Sequence, residues 1–372
     1  MNIAFSLYDF FPFGGMQRNM LAMADEAVRR GHRITIFCSL WEGDEPAGVE
    51  VVRLPVKGFT NAGRARHFVR LFQSTLKNRD FDLIVGFNKM PGLDLYYAAD
   101  SCFAYKAHYE RNFIYRLSGR TKRYLINEAA VFSRESATKI LEVSRKERDR
   151  FQRCYETPAE RFFTLPPGIS RNRSLPDDFQ ALREEARRKL GVGAKTFLLL
   201  ALGSGFRTKG LDRSISVLAD LKQQNIDARL IVVGQDKAWP FEAQATRLGV
   251  KDQIDFLGGR DDVPVLLQAA DLLLHPAYKE NTGNVLLEAM IAGKPVVTTD
   301  VCGYAHYVED ASMGCVVEAP YAISALSQAV KQCLQQPADH WRQLGREFAR
   351  NDEIYSRPAF AVNVMEQLGD QS

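Results

Sequence analysis

Glu280 and Glu288 flank the segment Asn-Thr-Gly-Asn-Val-Leu-Leu, and Ala-Met-Ile-Ala-Gly-Lys-Pro-Val-Val follows. The pattern predicts a strand ending at His275-Pro276, a loop carrying Glu280, and a helix that starts near Thr282 or Gly283 and runs to Gly293 as its C-cap. The open start of a helix presents unpaired N–H groups, here from Thr282, Gly283, Asn284 and Val285, and these suit a phosphate. Two carboxylates, one on each side of that phosphate, can accept hydrogen bonds from sugar hydroxyls. Two surface glutamates would satisfy the same spacing. The helix is otherwise apolar (Val285, Leu286, Leu287, Ala289, Met290, Ile291), so a glutamate inside it needs a partner if it is buried.

Gly203-Ser-Gly-Phe-Arg-Thr-Lys-Gly210 follows an apolar run and offers flexible backbone donors together with Arg207 and Lys209. That composition suits a diphosphate and equally a solvated basic turn, and it is not a Walker A loop. Phe13-Gly14-Gly15, between the first strand and a helix, lets backbone approach an anion or makes a plain tight turn. The segment Tyr105–Tyr124 carries Lys106, Arg111, Arg116, Arg120, Lys122 and Arg123 against Glu110 alone, interleaved with tyrosines and Phe113. Cations with interfacial aromatics are the composition of a membrane-surface segment, or of a site for an anionic acceptor. A solvated helical face with its tyrosines turned inward is the plain alternative. Asp100 reads as a carboxylate near the ligand or an N-cap, and Arg173 as a cation facing it or a solvated side chain. The turns at Gly258-Gly259-Arg260 and Gly303, and His306, are as readily structural.

These residues need a scaffold that alternates strands and helices. The predicted strands are Ile3–Leu7, Ile34–Cys38, Val51–Leu54, Leu83–Gly86, Lys139–Val143 and Phe162–Leu165, then Phe197–Leu202, Arg229–Val233, Ile254–Phe256, Leu272–His275 and Val296–Thr299. Helical stripes lie between them, as in Met16–Arg30 with Gly31 at its end. This is the α/β pattern of parallel sheets covered on both faces. Pro166-Pro167-Gly168 breaks the series. The expected division is therefore 1–166, 167–354 and a C-terminal helix at 355–372 packing back on the first domain. Ligands of doubly wound sheets bind beyond the C-terminal strand ends, so the expected site is the cleft between the domains.

With 372 residues and 46% hydrophobic side chains the chain has the composition of a two-domain globular protein. Residues 1–166 hold 26 Lys and Arg against 19 Asp and Glu, and the remainder 23 against 26. A basic first half is expected to meet something anionic, and no nucleic-acid-binding pattern accompanies it. The six cysteines stand singly and the six histidines are scattered, so reduced thiols and no metal are expected. No apolar run is long enough to span a bilayer, and the N-terminus reads as a strand rather than a signal peptide.

The block Glu280-x7-Glu288 with AMIAGKPVV behind it resembles the signature of retaining, GT-B glycosyltransferases of family 4. SLYDFFPFGGMQRN, VGFNKMPGLDLYYAADSC, LPPGI, DLLLHPAY and VCGYAHYVEDA are similar to the lipopolysaccharide core glucosyltransferase I subgroup of Gram-negative bacteria, from the first strand to about Tyr355. The resemblance implies two Rossmann-like domains, UDP-glucose as donor, an inner-core heptose of lipopolysaccharide as acceptor, retention of configuration, no cofactor or metal, and work on the cytoplasmic face of the inner membrane. Gly14 and Gly15 would line the donor phosphates, with Arg173 and Lys209 neutralising them and Arg207 in support. Glu280 would hold the hexose and Glu288 the ribose, and residues 105–124 would touch the anionic membrane. Apart from the resemblance, Asp100 is the residue expected from its place after the strand to position or deprotonate the acceptor hydroxyl. Asn19 stands where the family often carries an acid, and Thr208 where a cation is common. Rival expectations are a sugar-nucleotide 2-epimerase-like isomerase on the same fold and a non-catalytic membrane-surface binding protein.

Overall fold

The structure is a computed structural model that describes residues 1–12 and 14–370. Phe13 of the glycine turn lies outside the described residues. The chain divides into two compact units, Met1–Gly168 with Ser356–Ser372, and Ile169–Tyr355.

The first unit is built on strands β1 (Asn2–Ser6), β2 (Arg33–Cys38), β3 (Val49–Arg53), β4 (Leu83–Gly86), β5 (Leu95–Ala98), β6 (Lys139–Glu142) and β7 (Phe162–Thr164). They form one parallel sheet in the order β3-β2-β1-β4-β5-β6-β7. In β1, Ile3 pairs with Ile34 on one side and Leu83 on the other. Apolar side chains cover both faces, as a buried parallel sheet requires. Helix α1 (Gly15–Arg29) buries Met20, Met23, Ala24 and Ala27 on one face, and Gly31 (φ +88°) supplies the left-handed turn after it. The helix Arg357–Gly369 joins this core through Ala361, Val362 and Met365. Helix α2 (Asn61–Leu76) covers the other face with Phe68 and Phe72. Helices α3 (Gly119–Phe132) and α4 (Arg145–Tyr155) complete the region used below.

The second unit carries β8 (Phe197–Leu202), β9 (Ala228–Val233), β10 (Ile254–Gly258), β11 (Leu272–His275), β12 (Val296–Thr299) and β13 (Gly314–Val317), parallel in the order β10-β9-β8-β11-β12-β13. Its core is one apolar cluster in which Leu198–Leu200, Leu230–Val233, Leu286, Leu287 and Ala289–Ala292 are almost wholly excluded from water. The helices that bear on the site are α5 (Leu211–Gln223) and α6 (Asn284–Ile291).

The structure adds four strands to the sequence reading, the first two being the short parallel pair Asp9–Phe10 and Leu40–Trp41. Residues 83–100 hold two strands, β4 and β5, rather than a strand and a loop. The four residues of β5, Leu-Tyr-Tyr-Ala, are all buried and show no alternation that would mark them. Strand β13, Gly-Cys-Val-Val, was also missed. It is short and half-buried at a sheet edge, and Gly314 is indispensable because a Cβ there would meet the Val296 carbonyl oxygen at 1.9 Å. All six cysteines are free thiols. No helix among the described residues is long and apolar enough to cross a membrane.

Candidate functional site

In the second unit the polypeptide turns twice around glycines before the chemistry begins. Gly210 (φ +74°) caps the start of α5, and a Cβ there would lie 2.0 Å from the Pro276 carbonyl oxygen. That close approach brings the 203–210 loop against the loop after β11, where the Tyr278 amide donates to the Thr208 carbonyl at 2.9 Å. The result is an ion pair between Lys209 and Glu280. Gly283 (φ +101°) makes the second turn and caps α6, which begins at Asn284 and ends at Ile291. The helix is thus one or two residues shorter at each end than its sequence pattern suggested. Gly303 fits beneath this loop, where a Cβ would strike the Asn281 carbonyl oxygen at 2.2 Å.

The amides of Gly283, Asn284 and Val285 have no acceptor within the helix. The Asn284 Oδ1 beside them is buried without a hydrogen-bond partner, so polar capacity is left over at the helix start for a ligand to use.

Glu288 sits on the second turn of α6, only 6% exposed. Its buried carboxylate has the partner it requires: Arg173 Nε lies 3.8 Å from Oε2, and both side chains are shielded from water. The two carboxylates and the two cations that the sequence assigns to different parts of one ligand are therefore paired with each other, Lys209 with Glu280 and Arg173 with Glu288. Arg207 is exposed on the same loop as Lys209.

A residue that sequence reasoning missed stands behind Glu280. The imidazole Nε2 of His275, a residue 1% exposed at the end of β11, is 3.4 Å from Glu280 Oε2, an ion-pair separation that lacks hydrogen-bond alignment. Burial opposes the charge on His275, but contacts with Cys302 and Glu280 outweigh it and raise its pKa to about 9. Burial likewise pushes Glu280 up, yet His275 and Lys209 prevail and hold it at about 2. Glu280 is thus a fixed anion between two cations. The signal was a histidine closing an otherwise apolar strand, a position where a ring must find a polar partner.

The remaining expected residues lie in the first unit. Gly14 is the N-cap of α1 with φ −77°, and a Cβ on Gly15 would meet nothing within 4 Å. Neither backbone conformation nor contacts require glycine at 15, whereas a Cβ on Gly14 would meet Gln17 Oε1 at 1.9 Å. Asp100 is exposed in the bend just after β5. Asn19 accepts a long hydrogen bond from the buried Arg357 at 3.4 Å, which gives its amide a structural occupation.

The basic segment is not one helix. It breaks into Phe103–Tyr105, a π-helical turn Lys106–Glu110, a helix Phe113–Leu117 and the start of α3. Phe113, Ile114 and Leu117 are more than half exposed, as are Tyr109 and Ile126. Arg111, Arg120 and Lys122 are exposed among them, while Lys106, Arg116 and Arg123 are half-buried. Several cations lie over rings: Arg116 over Phe113 at 5.2 Å and Arg120 over Tyr124 at 5.6 Å.

The start of the segment is tied to α3, to α4 and to Lys89 by Glu128, which is fully buried and was also missed. Its carboxylate accepts from the amides of Phe103 (2.8 Å) and Ala104 (2.7 Å), from Tyr155 Oη (3.0 Å) and from Lys89 Nζ (2.6 Å). An acid inside the apolar stretch of α3 is the same signal that marks Glu288.

Residues 13–173 match the family model described as Glycosyltransferase Family 4, and residues 182–351 the model described as Glycosyl transferases group 1. The chain is 44% identical over 368 residues to the lipopolysaccharide glucosyltransferase WaaG of Escherichia coli (strain K12), covering 98% of each sequence. The crystal structure of WaaG, a glycosyltransferase involved in lipopolysaccharide biosynthesis, matches with a TM-score of 0.92 over 97% of this chain and 99% of that one. Sucrose-phosphate synthase from Thermosynechococcus elongatus shares the fold, with a TM-score of 0.79 at 19% identity over the full length of both. On the strength of that identity across both units, the chain belongs to the lipopolysaccharide core glucosyltransferase family of GT-B glycosyltransferases.

Proposed function

We propose that this enzyme transfers glucose from UDP-glucose to an inner-core heptose of lipopolysaccharide with retention of anomeric configuration, while resting on the cytoplasmic face of the inner membrane. The observation that carries the reading is the double ion pair around α6, in a chain 44% identical over nearly its full length to a lipopolysaccharide glucosyltransferase.

As the glycosidic bond to the donor breaks, negative charge develops on the departing diphosphate. Cations held at the site and the open end of a helix meet that charge. Lys209 and Arg173 supply the cations, with Arg207 in support, and the amides of Gly283 to Val285 supply the helix end, with Thr282 beside them. Glu280, held anionic by His275 and Lys209, accepts hydrogen bonds from hexose hydroxyls, and Glu288 from those of the ribose. The Lys209–Glu280 pair is then the resting arrangement, which opens as the phosphate takes the ammonium and the sugar takes the carboxylate. Gly14 and Gly15 give backbone access to the phosphates, and Asp100 positions or deprotonates the acceptor hydroxyl. With the charge carried by side chains, activity is expected to survive a chelator.

The exposed apolar and cationic side chains of residues 109–126 make the membrane contact. Phe113, Ile114 and Leu117 enter the interface, and Arg111, Arg120 and Lys122 meet anionic headgroups.

The test is an incubation with heptose-terminated deep-rough lipopolysaccharide and UDP-glucose, with UDP-galactose as a parallel donor. Glucose incorporation in the donor's α configuration, read by NMR of the product, supports the proposal. Transfer from UDP-galactose alone, a β-linked product or no transfer contradicts it.

A further inference from the structure

Arg213 stands on the first turn of α5 and is only 9% exposed. A buried guanidinium must be met by hydrogen-bond acceptors or by rings. Its Nη1 donates to the carbonyl oxygens of Pro276 at 3.0 Å and Ala277 at 3.1 Å. Two tyrosine rings cover it, with Cζ 3.6 Å from the centroid of Tyr278 and 4.7 Å from that of Tyr321. Each ring is anchored at its far end: Tyr278 Oη donates to Asp212 at 2.7 Å, and Tyr321 Oη to Asp300 at 2.7 Å.

Tyr321 holds φ +56°, a left-handed backbone that a bulky residue adopts only under strain. Strain of this kind persists where the surroundings over-determine it, and it concentrates at functional sites. The strained position secures a ring over Arg213 and a hydroxyl on Asp300, the residue that follows β12.

The two carbonyls that Arg213 holds belong to the loop running from His275 to Glu280. Pro276 has no amide to donate, so its carbonyl is the backbone group through which it can be fixed. The same loop is held elsewhere by the Thr299 hydroxyl, which donates to the Ala277 carbonyl at 2.8 Å. The Thr208 carbonyl accepts from the amides of Tyr278 at 2.9 Å and Lys279 at 3.3 Å. Lys209 has separate support, since its amide donates to the Gly205 carbonyl at 3.1 Å.

We propose that Arg213 is a positioning residue for Glu280: with Tyr278 and Tyr321 it fixes the 276–280 loop so that the carboxylate stands where the donor hexose binds. The inference rests on the reading of Glu280 as the hexose-binding carboxylate. It adds a residue that acts through the backbone of the loop rather than on the ligand. The clamp serves the hexose side of the donor, so it distinguishes UDP-glucose from UDP.

The experiment compares the full chain as wild type, Arg213→Met, Arg213→Lys and Tyr321→Gly. It measures kcat/KM for UDP-glucose in transfer to heptose-terminated lipopolysaccharide, the Kd of UDP by calorimetry, and the pKa of His275 by NMR of the chain without ligand. Met keeps the length of the stem without a donor, and because the partners of Arg213 are carbonyls and rings, no charge is stranded. Lys restores a donor without the planar face. Tyr321→Gly removes the strain together with the ring, so its unfolding temperature should stay close to that of wild type. His275 Nε2 lies 3.4 Å from Glu280. Burial opposes the charge of this imidazole, and Cys302 and Glu280 together raise its pKa to about 9. A displaced Glu280 withdraws its share.

The expected result is a fall in kcat/KM for UDP-glucose on the order of 10- to 10²-fold in Arg213→Met, with partial recovery in Arg213→Lys and a smaller fall in Tyr321→Gly. UDP should bind all four chains alike, and the His275 pKa should drop in Arg213→Met toward the ordinary 6.5. A residue that served folding alone would move neither the contrast between the two nucleotides nor the histidine. Wild-type transfer in Arg213→Met, equal losses for UDP and UDP-glucose, or an unmoved His275 pKa overturns the proposal. Should Arg213→Met not fold, Tyr321→Gly is judged by the same criteria. A wild-type chain that fails to bind UDP would instead sink the donor assignment, and the His275 titration would still decide the clamp.

Discussion

Around α6 in the second unit, Lys209 and Arg173 each face a carboxylate and are largely shielded from solvent. In residues 105–124 of the first unit, six cations stand against Glu110 alone, and three of them are exposed beside exposed apolar side chains. Paired, buried charge is held at the site before a ligand arrives, each member ready to exchange its partner for the ligand, and it is weakly screened by salt. Unmatched surface charge is the opposite, strong at long range and salt-sensitive, and suited to a surface rather than to one molecule. The same residue types therefore serve two tasks in one chain, and partner and burial decide which.

The contrast breaks most visibly at Lys209. Lys209→Ala should lower kcat by on the order of 10²–10³ in the glucose-transfer assay, while leaving vesicle binding intact. A wild-type rate would remove Lys209 from the donor site.

Next in size is Glu128→Gln, which strands the Lys89 ammonium and frees the start of the basic segment. Unfolding by urea should show a loss on the order of 3 kcal/mol. No change would mean that the hub does not hold the segment.

Third, replacing Phe113 and Ile114 with Ser should weaken sedimentation with anionic vesicles by roughly tenfold per side chain, with the rate on a deacylated acceptor unchanged. Equal vesicle binding would return the segment to a solvated face.

The most gradual effect is a pH slope. The pKa of His275 is raised to about 9 from an ordinary 6.5, so its contribution is complete below 6.5 and lost as pH rises through about 9. The pKa of Glu280 is lowered to about 2, so its contribution holds above the ordinary 4.5 and is lost as pH falls through about 2. Between pH 6.5 and 9, stability should decline by at most about 1.4 kcal/mol per pH unit at its steepest. His275→Gln should flatten that part of the curve, and a slope unchanged in the variant would show that the imidazole is neutral.

How much of this was legible in the sequence follows from the range of each interaction. Strands β8, β11 and β12 and the α1 stripe are local patterns, and their bounds match to within a residue. Strand β5 was hidden because four buried residues carry no period. Glu288 could be singled out because an acid in an apolar helix is a local anomaly. Its partner could not, since Arg173 reaches it only through the fold, and Lys209 meets Glu280 across 71 residues. The basic segment was legible as composition, but its breakage into short pieces was not, because that depends on Glu128 capping a turn 24 residues upstream. Arg213 carries no sequence mark at all.

The central claim is that a nucleotide diphosphate is held by the charges around α6. A crystal structure with UDP tests it most directly. The diphosphate is expected on the amides of Gly283 to Val285, with Lys209 Nζ turned from Glu280 to a phosphate oxygen and the ribose hydroxyls on Glu288. UDP bound elsewhere, or bound at α6 with the Lys209–Glu280 pair unbroken and Glu288 untouched, would contradict it.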